Sequence, residues 1–226
     1  MKRIFSLIII LIIIFVLTIT SYADLIDRGG GLIYDSDLKI TWLQDANHVN
    51  TSGYDDALYG YDTNGMLTWN DAMSWADNLS YTDTKTGIIY NNWRLPITFD
   101  VEQDSDGYND GSEMGSLYYV GLKNSGGDLN PLLSPFKNVQ DYWYWSQTEF
   151  DFDKNFIWGF SFRDIPTSPY LVESGYQATP YKPEKTYCWA VSDGDIAAVP
   201  EPATMLLFDS GLIGLAGYGR KKFFKK

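Results

Sequence analysis

The densest run of potential ligand residues is acidic. Glu102, Asp104, Asp106, Asp110 and Glu113 fall within one twelve-residue stretch that has Gly107 at its middle. Counted as a loop, Glu102, Asp104 and Asp106 take its first, third and fifth positions. The Tyr108 carbonyl takes the seventh, Asp110 the ninth and Glu113 the last. An EF-hand-type loop feeds oxygen ligands to Ca2+ from those positions, and a central glycine lets the chain bend round the ion. Three features leave a solvated acidic insertion open as the other reading. The first ligand is Glu instead of Asp, Asn109 stands where an apolar residue is usual, and the lead-in Trp93-Arg94-Leu95-Pro96 does not continue a helix.

A second candidate is aromatic. Flat rings beside polar groups stack on sugars, so Trp143 and Trp145 in Tyr142-Trp143-Tyr144-Trp145 are a candidate glycan platform. Strand alternation puts the two Trp on one face and the two Tyr on the other. Aromatic residues on both faces, however, argue for a strand buried on both sides. Arg94 reads as a brace: it stands where Pro96 redirects the chain, ready to pair with an internal carboxylate.

No catalytic residue is nominated. His48 is the only histidine, so a Ser–His–acid triad would have to use it, yet no Gly-x-Ser-x-Gly element marks a nucleophile. Cys188, the only cysteine, excludes an intramolecular disulfide, and the apolar run Tyr187–Val191 marks it as a core thiol. Carboxylates are too numerous to single out a pair for glycoside hydrolysis.

These residues need elements to hold them. Leu32–Tyr34 and Leu38–Leu43, separated by Asp35-Ser36-Asp37, predict a β-hairpin. Asn47–Asn64 shows no period and reads as a polar loop. Thr68–Leu79 predicts a helix, with Thr68 as N-cap, Asp71 at N3, and Trp69, Ala72, Met73, Ala76 and Leu79 on one face. A second helix is predicted from Ser112 to about Lys123, with Met114, Leu117, Tyr118, Gly121 and Leu122 inward. Strands are then expected at Tyr142–Ser146, Phe156–Phe162 and Thr186–Val191. A hairpin, two helices and several strands make an α+β domain.

The ends of the chain say where that domain goes. Lys2 and Arg3, the apolar run after them, and Ser21-Tyr22-Ala23 form a signal peptide (1–23) with cleavage after Ala23. At the other end, Val199-Pro200-Glu201-Pro202 precedes 17 apolar or small residues, interrupted by Asp209, and then Arg220-Lys221-Lys222 and Lys225-Lys226. Basic ends stay cytoplasmic, so everything between the two apolar segments is placed outside the inner membrane. A span of 17 residues carrying Asp209 is at the short limit for a bilayer and suits transient retention. Without the two ends, Lys and Arg fall from 17 to 10 and Asp and Glu from 29 to 28, a net charge of about −18. That excludes nucleic acid as a partner for want of basic residues. Cations or neutral polysaccharide fit better.

The tail "VPEPATMLL…SGLIGLAGYGRKKFFKK" closely resembles the PEP-CTERM sorting signal (199–226, with its membrane span at about 203–219). The resemblance implies processing by an exosortase in the inner membrane. It also implies delivery to the surface or matrix of a Gram-negative bacterium that makes exopolysaccharide or biofilm. Within residues 24–198, "GLIYDSDLKITWLQDAN", "LTWNDAMSWADNL", "NNWRLP", "YWYWSQTEF" and "CWAVSDGD" resemble the Lcl C-terminal domain family. That resemblance implies a single C-type-lectin-like domain and a role in adhesion, although the acidic charge opposes a polyanionic ligand. The resulting expectation is a non-enzymatic binding or scaffolding domain in an exopolysaccharide matrix. The alternatives are an extracellular enzyme acting on polysaccharide and an inert structural matrix protein.

Overall fold

The computed structural model describes residues 24–99, 107–108, 110–126, 132–162 and 174–197. Ala23, Glu102, Asp104, Asp106 and the residues from Pro200 through Pro202, with Val199, lie outside the described residues. The chain divides into two units, Met1–Asp195 and Ile196–Lys226, and the elements named below all belong to the first. Among the described residues, no helix is long and apolar enough to cross a membrane.

The predicted hairpin forms as β2 (Leu32–Asp35) and β3 (Ile40–Leu43), in register from Leu32↔Leu43 to Asp35↔Ile40. Its turn is closed by Asp35, whose Oδ1 accepts the N–H groups of Asp37 and Leu38 at 3.1 Å each. A strand not read from the sequence, β1 (Leu25–Gly29), pairs with β2 across Gly30 and Gly31. The last strand, β10 (Val191–Asp193), pairs with β3. The sheet order is therefore β1-β2-β3-β10, all antiparallel, with the first and last strands of the domain in one sheet.

The stretch expected to be a loop contains two short helices, α1 (His48–Thr51) and α2 (Tyr54–Tyr59). Four and six residues are too few to display a helical period, and neither helix has a side-chain cap. The next helix, α3 (Trp69–Asn78), starts where its cap predicts. Thr68 Oγ1 accepts the Asp71 N–H at 3.4 Å and donates to Asp71 Oδ2 at 2.7 Å. Its buried residues are Ala72, Trp75 and Ala76, so Trp75 joins the inward face, while Trp69 is only half-buried and donates Nε1–H to the Ser146 carbonyl.

After α3 the chain forms a two-stranded ribbon, β4 (Tyr81–Thr82) with β5 (Ile89–Tyr90). Past β6 (Gly107–Tyr108), Ser112 caps α4 (Glu113–Ser116), accepting the Gly115 N–H at 2.9 Å. The second half of that predicted helix is a π-helical turn, Leu117–Gly121, in which the Leu122 N–H reaches back to Leu117 O at 2.8 Å. Met114, Leu117, Tyr118 and Leu122 are buried as predicted.

A second antiparallel sheet has the order β6-β9-β8-β7, with β7 (Trp143–Glu149), β8 (Ile157–Ser161) and β9 (Tyr176–Ala178). The segment from Thr186 to Val191 is less a strand than a seam. Thr186 exchanges backbone bonds with Leu67, and Tyr187 bonds with Trp143 and Trp145 of β7. Farther along, Ala190 O accepts from Leu43, and Val191 pairs with Arg94. One run of the chain thus ties both sheets to the segments around Leu67 and Arg94. Aromatic rings fill the space between. Trp42, Trp145, Trp158 and Trp189 are all enclosed, and Trp189 lies 5.1 Å from Trp42 and 4.8 Å from Phe136, edge to face. The domain has mixed helix and antiparallel sheet.

Candidate functional site

The Arg94 brace is present and uses the residue that the acidic loop would have needed. Arg94 Nη1 and Nη2 bind Glu113 Oε2 and Oε1 at 2.7 and 2.8 Å, a two-pronged ion pair. Glu113 Oε2 also accepts the Ile97 N–H at 2.9 Å. Glu113 is only 5% exposed, so its charge is matched within the domain instead of facing a loop. On its other side Arg94 reaches Asp193 at 2.6 Å, and these carboxylates hold the guanidinium pKa above its ordinary value even though burial alone lowers it. Of the other proposed calcium ligands, Tyr108 lies in β6 edge to face with Tyr176, and Asp110 is exposed. Glu102, Asp104 and Asp106 are outside the described residues.

The aromatic platform requires a correction. Trp145 has no exposed surface and donates Nε1–H to Leu67 O at 3.0 Å, so it has no face to offer a sugar. Tyr144 on the opposite side of the strand is equally enclosed, while Trp143 keeps partial exposure. β7 is packed on both faces at its centre. Cys188 is buried, and burial followed by the Asp55 charge pushes its thiol pKa well up, leaving it protonated and unreactive.

The concave surface lies elsewhere. A cleft of about 470 Å³ is lined by Asp45, His48, Thr51, Tyr81, Thr82 and Thr84. One wall is the α1 region. Asp45 Oδ1 accepts from the Asn47 N–H and from Asn138 Nδ2 at 3.0 Å each, and its Oδ2 accepts from Thr51 Oγ1 at 2.7 Å. The other wall is the β4–β5 ribbon, which docks on the glycine turn: Tyr81 Oη–H and the Thr84 N–H both donate to Gly30 O, at 2.9 and 3.2 Å. That approach demands glycine twice. At φ of +66° and +90°, a Cβ on Gly30 would sit 1.9 Å from Asp83 Oδ1, and one on Gly31 would sit 1.9 Å from Tyr81 Oη.

His48 and Tyr81 meet edge to face at 5.5 Å across the cleft. Burial lowers the His48 pKa against the pull of Asp45, so the imidazole is neutral near pH 7. Burial, with Asp83 and Asp45 adding to it, raises the Tyr81 pKa, which keeps the phenol protonated. The geometry does not assemble a triad. The Thr51 hydroxyl gives its proton to Asp45 and stands 3.5 Å from His48 Nδ1, so the imidazole is not placed to take that proton. With Leu43, the cleft is lined by the hydroxyl residues Ser80, Thr51, Thr82 and Thr84, a carboxylate, an imidazole and a phenol ring. A smaller hollow of about 320 Å³ lies beside Arg94, Trp93, Met73 and Gln147.

Sequence reasoning named His48 but not Asp45, Thr51 or Tyr81. The Gly29-Gly30-Gly31 run was the available signal for a close approach.

Residues 198–222 match the PEP-CTERM protein-sorting motif. The match covers the Pro-Glu-Pro element, the whole apolar span and the first basic residues, in agreement with the order of features in the tail. It marks the chain as an exported protein sorted by an exosortase and associated with the surface of a Gram-negative bacterium. No curated protein and no solved structure matches the chain.

Proposed function

We propose that this is a surface or matrix protein whose domain, residues 24–198, is of the Lcl C-terminal, C-type-lectin-like type and binds exopolysaccharide without transforming it. The observation that carries the reading is the cleft between α1 and β4. It is open and lined by hydroxyls and one carboxylate beside the Tyr81 ring, which is the mix of polar groups and aromatic face that carbohydrates require. The Thr51 proton directed to Asp45 supports binding over nucleophilic catalysis. The excess of acidic residues favours a neutral polymer. In such a matrix the domain serves adhesion or scaffolding.

Affinity electrophoresis of the purified protein in gels containing the producing bacterium's exopolysaccharide tests this reading. Retardation is expected. It should weaken roughly tenfold, about 1.4 kcal/mol, in Tyr81→Ala and be lost in Thr82→Arg, which fills the cleft from an exposed position. Equal retardation in wild type and both variants would remove the cleft from the account. Release of reducing ends from the polymer would make the protein an enzyme.

A further inference from the structure

Asp55 is a carboxylate with no exposed surface, placed at the start of α2. Its two oxygens are treated very differently. Oδ2 accepts three hydrogen bonds, from the Thr63 N–H at 3.1 Å, Thr63 Oγ1 at 3.0 Å and the Gly65 N–H at 2.9 Å. Burial raises the pKa of this group, but those donors outweigh it and the net shift is downward, so Asp55 is ionised. Oδ1 is enclosed and has no hydrogen-bond partner from another residue. A buried anionic oxygen without a donor or cation is costly, and native structures rarely leave one so.

Two more carboxylates converge on the same place. One ligand oxygen each from Asp55, Asp56 and Asp62 lies within 4.8 Å of the others. Asp56 and Asp62 are exposed, so the cluster is a buried anion under an open rim. No ion pair among the described residues includes any of the three. Lys185, the basic side chain that touches this loop, stacks its ammonium on the rings of Tyr59 and Tyr61 at 3.5 and 5.1 Å. Like charges this close, with no cation among them, would repel one another.

We infer that Asp55, Asp56 and Asp62 form a divalent-cation site, with Asp55 Oδ1 as its inner ligand, that takes Ca2+. The donors are all hard oxygens, with no nitrogen or sulfur to select a transition metal. Two rim carboxylates above a buried one leave places for water and backbone carbonyls, which suits Ca2+ better than the strict octahedron of Mg2+. An ion there would clamp the start of α2 to the Asp62 turn, whose Oδ1 already accepts the Asn64 N–H. The site shares no residue with the acidic stretch that ends at Glu113.

The test uses the full mature protein, stripped with chelator and titrated with CaCl2 alone or MgCl2 alone, read by calorimetry and thermal unfolding. Extracellular sites of this kind bind Ca2+ with Kd of about 10⁻⁴–10⁻³ M. The Tm should therefore rise by roughly 4–8 °C in 10 mM CaCl2, and much less in MgCl2. Asp56→Asn and Asp62→Asn change exposed side chains, so they should leave the fold intact while weakening Ca2+ binding at least tenfold. Asp55→Asn tests the inner ligand but also disturbs the Thr63 and Gly65 bonds. Absence of any Ca2+-dependent heat and Tm shift in the wild type would overturn the inference. So would full Ca2+ binding in Asp56→Asn and Asp62→Asn, or its loss only when Asp104 and Asp106 are changed.

Discussion

At His48, burial favours the neutral imidazole, and its pKa in the fold lies below the ordinary value of about 6.5. The unfolded chain therefore takes up that proton first as pH falls. The stabilising contribution is complete above about pH 6.5 and declines from there toward the folded pKa, with a slope of at most about 1.4 kcal/mol per pH unit. Carboxylates with lowered pKa, such as Asp83, lose their contribution only below about pH 3.8. Urea unfolding of wild type and His48→Gln at pH 7.5, 6.5 and 5.5 isolates the effect. The stability difference between the two should change as pH drops below 6.5. Parallel curves would mean that His48 is solvated. This burial was not legible from a lone histidine in a polar stretch, because the ring that packs on His48, Tyr81, comes from a ribbon more than 30 residues away.

Among the elements, Arg94 joins three pieces of the fold: the segment that enters Pro96, the start of α4 through Glu113, and β10 through Asp193. Arg94→Met leaves Glu113 buried without its partner and should cost about 3–5 kcal/mol. Arg94→Met with Glu113→Leu removes both charges and should recover most of that loss, measured by chemical unfolding. If the double variant is as unstable as the single one, the ion pair is not what holds these elements. The brace itself was legible, since an arginine before Leu-Pro suggested one. Its partner was misread as a loop ligand because spacing alone cannot say which way Glu113 turns. Locally determined elements, the hairpin around Asp35 and the α3 cap at Thr68, came directly from the sequence. β1, α1, α2 and the β4–β5 ribbon did not. All are short; β1 is held by pairing with β2, and the ribbon by docking on Gly30. Aromatic residues on both faces of β7 argued that it is covered on both sides, and the enclosed Trp145 and Tyr144 agree.

For the whole molecule, export and sorting rest on the two ends, and the acidic domain between them is what reaches the surface. The C-terminal motif implies processing by an exosortase, and a cut near the Pro-Glu-Pro element is the expectation to test. The most direct measurement is the intact mass of the protein recovered from the surface or medium of the producing bacterium, with and without its exosortase. The account predicts a product that begins near Asp24 and ends near Pro200-Glu201-Pro202 in the wild type. Without the exosortase, or in Pro200→Ala with Pro202→Ala, the chain should stay in the inner membrane and retain its tail. A surface product that still carries Lys226, or one that is unchanged when the exosortase is absent, would contradict it.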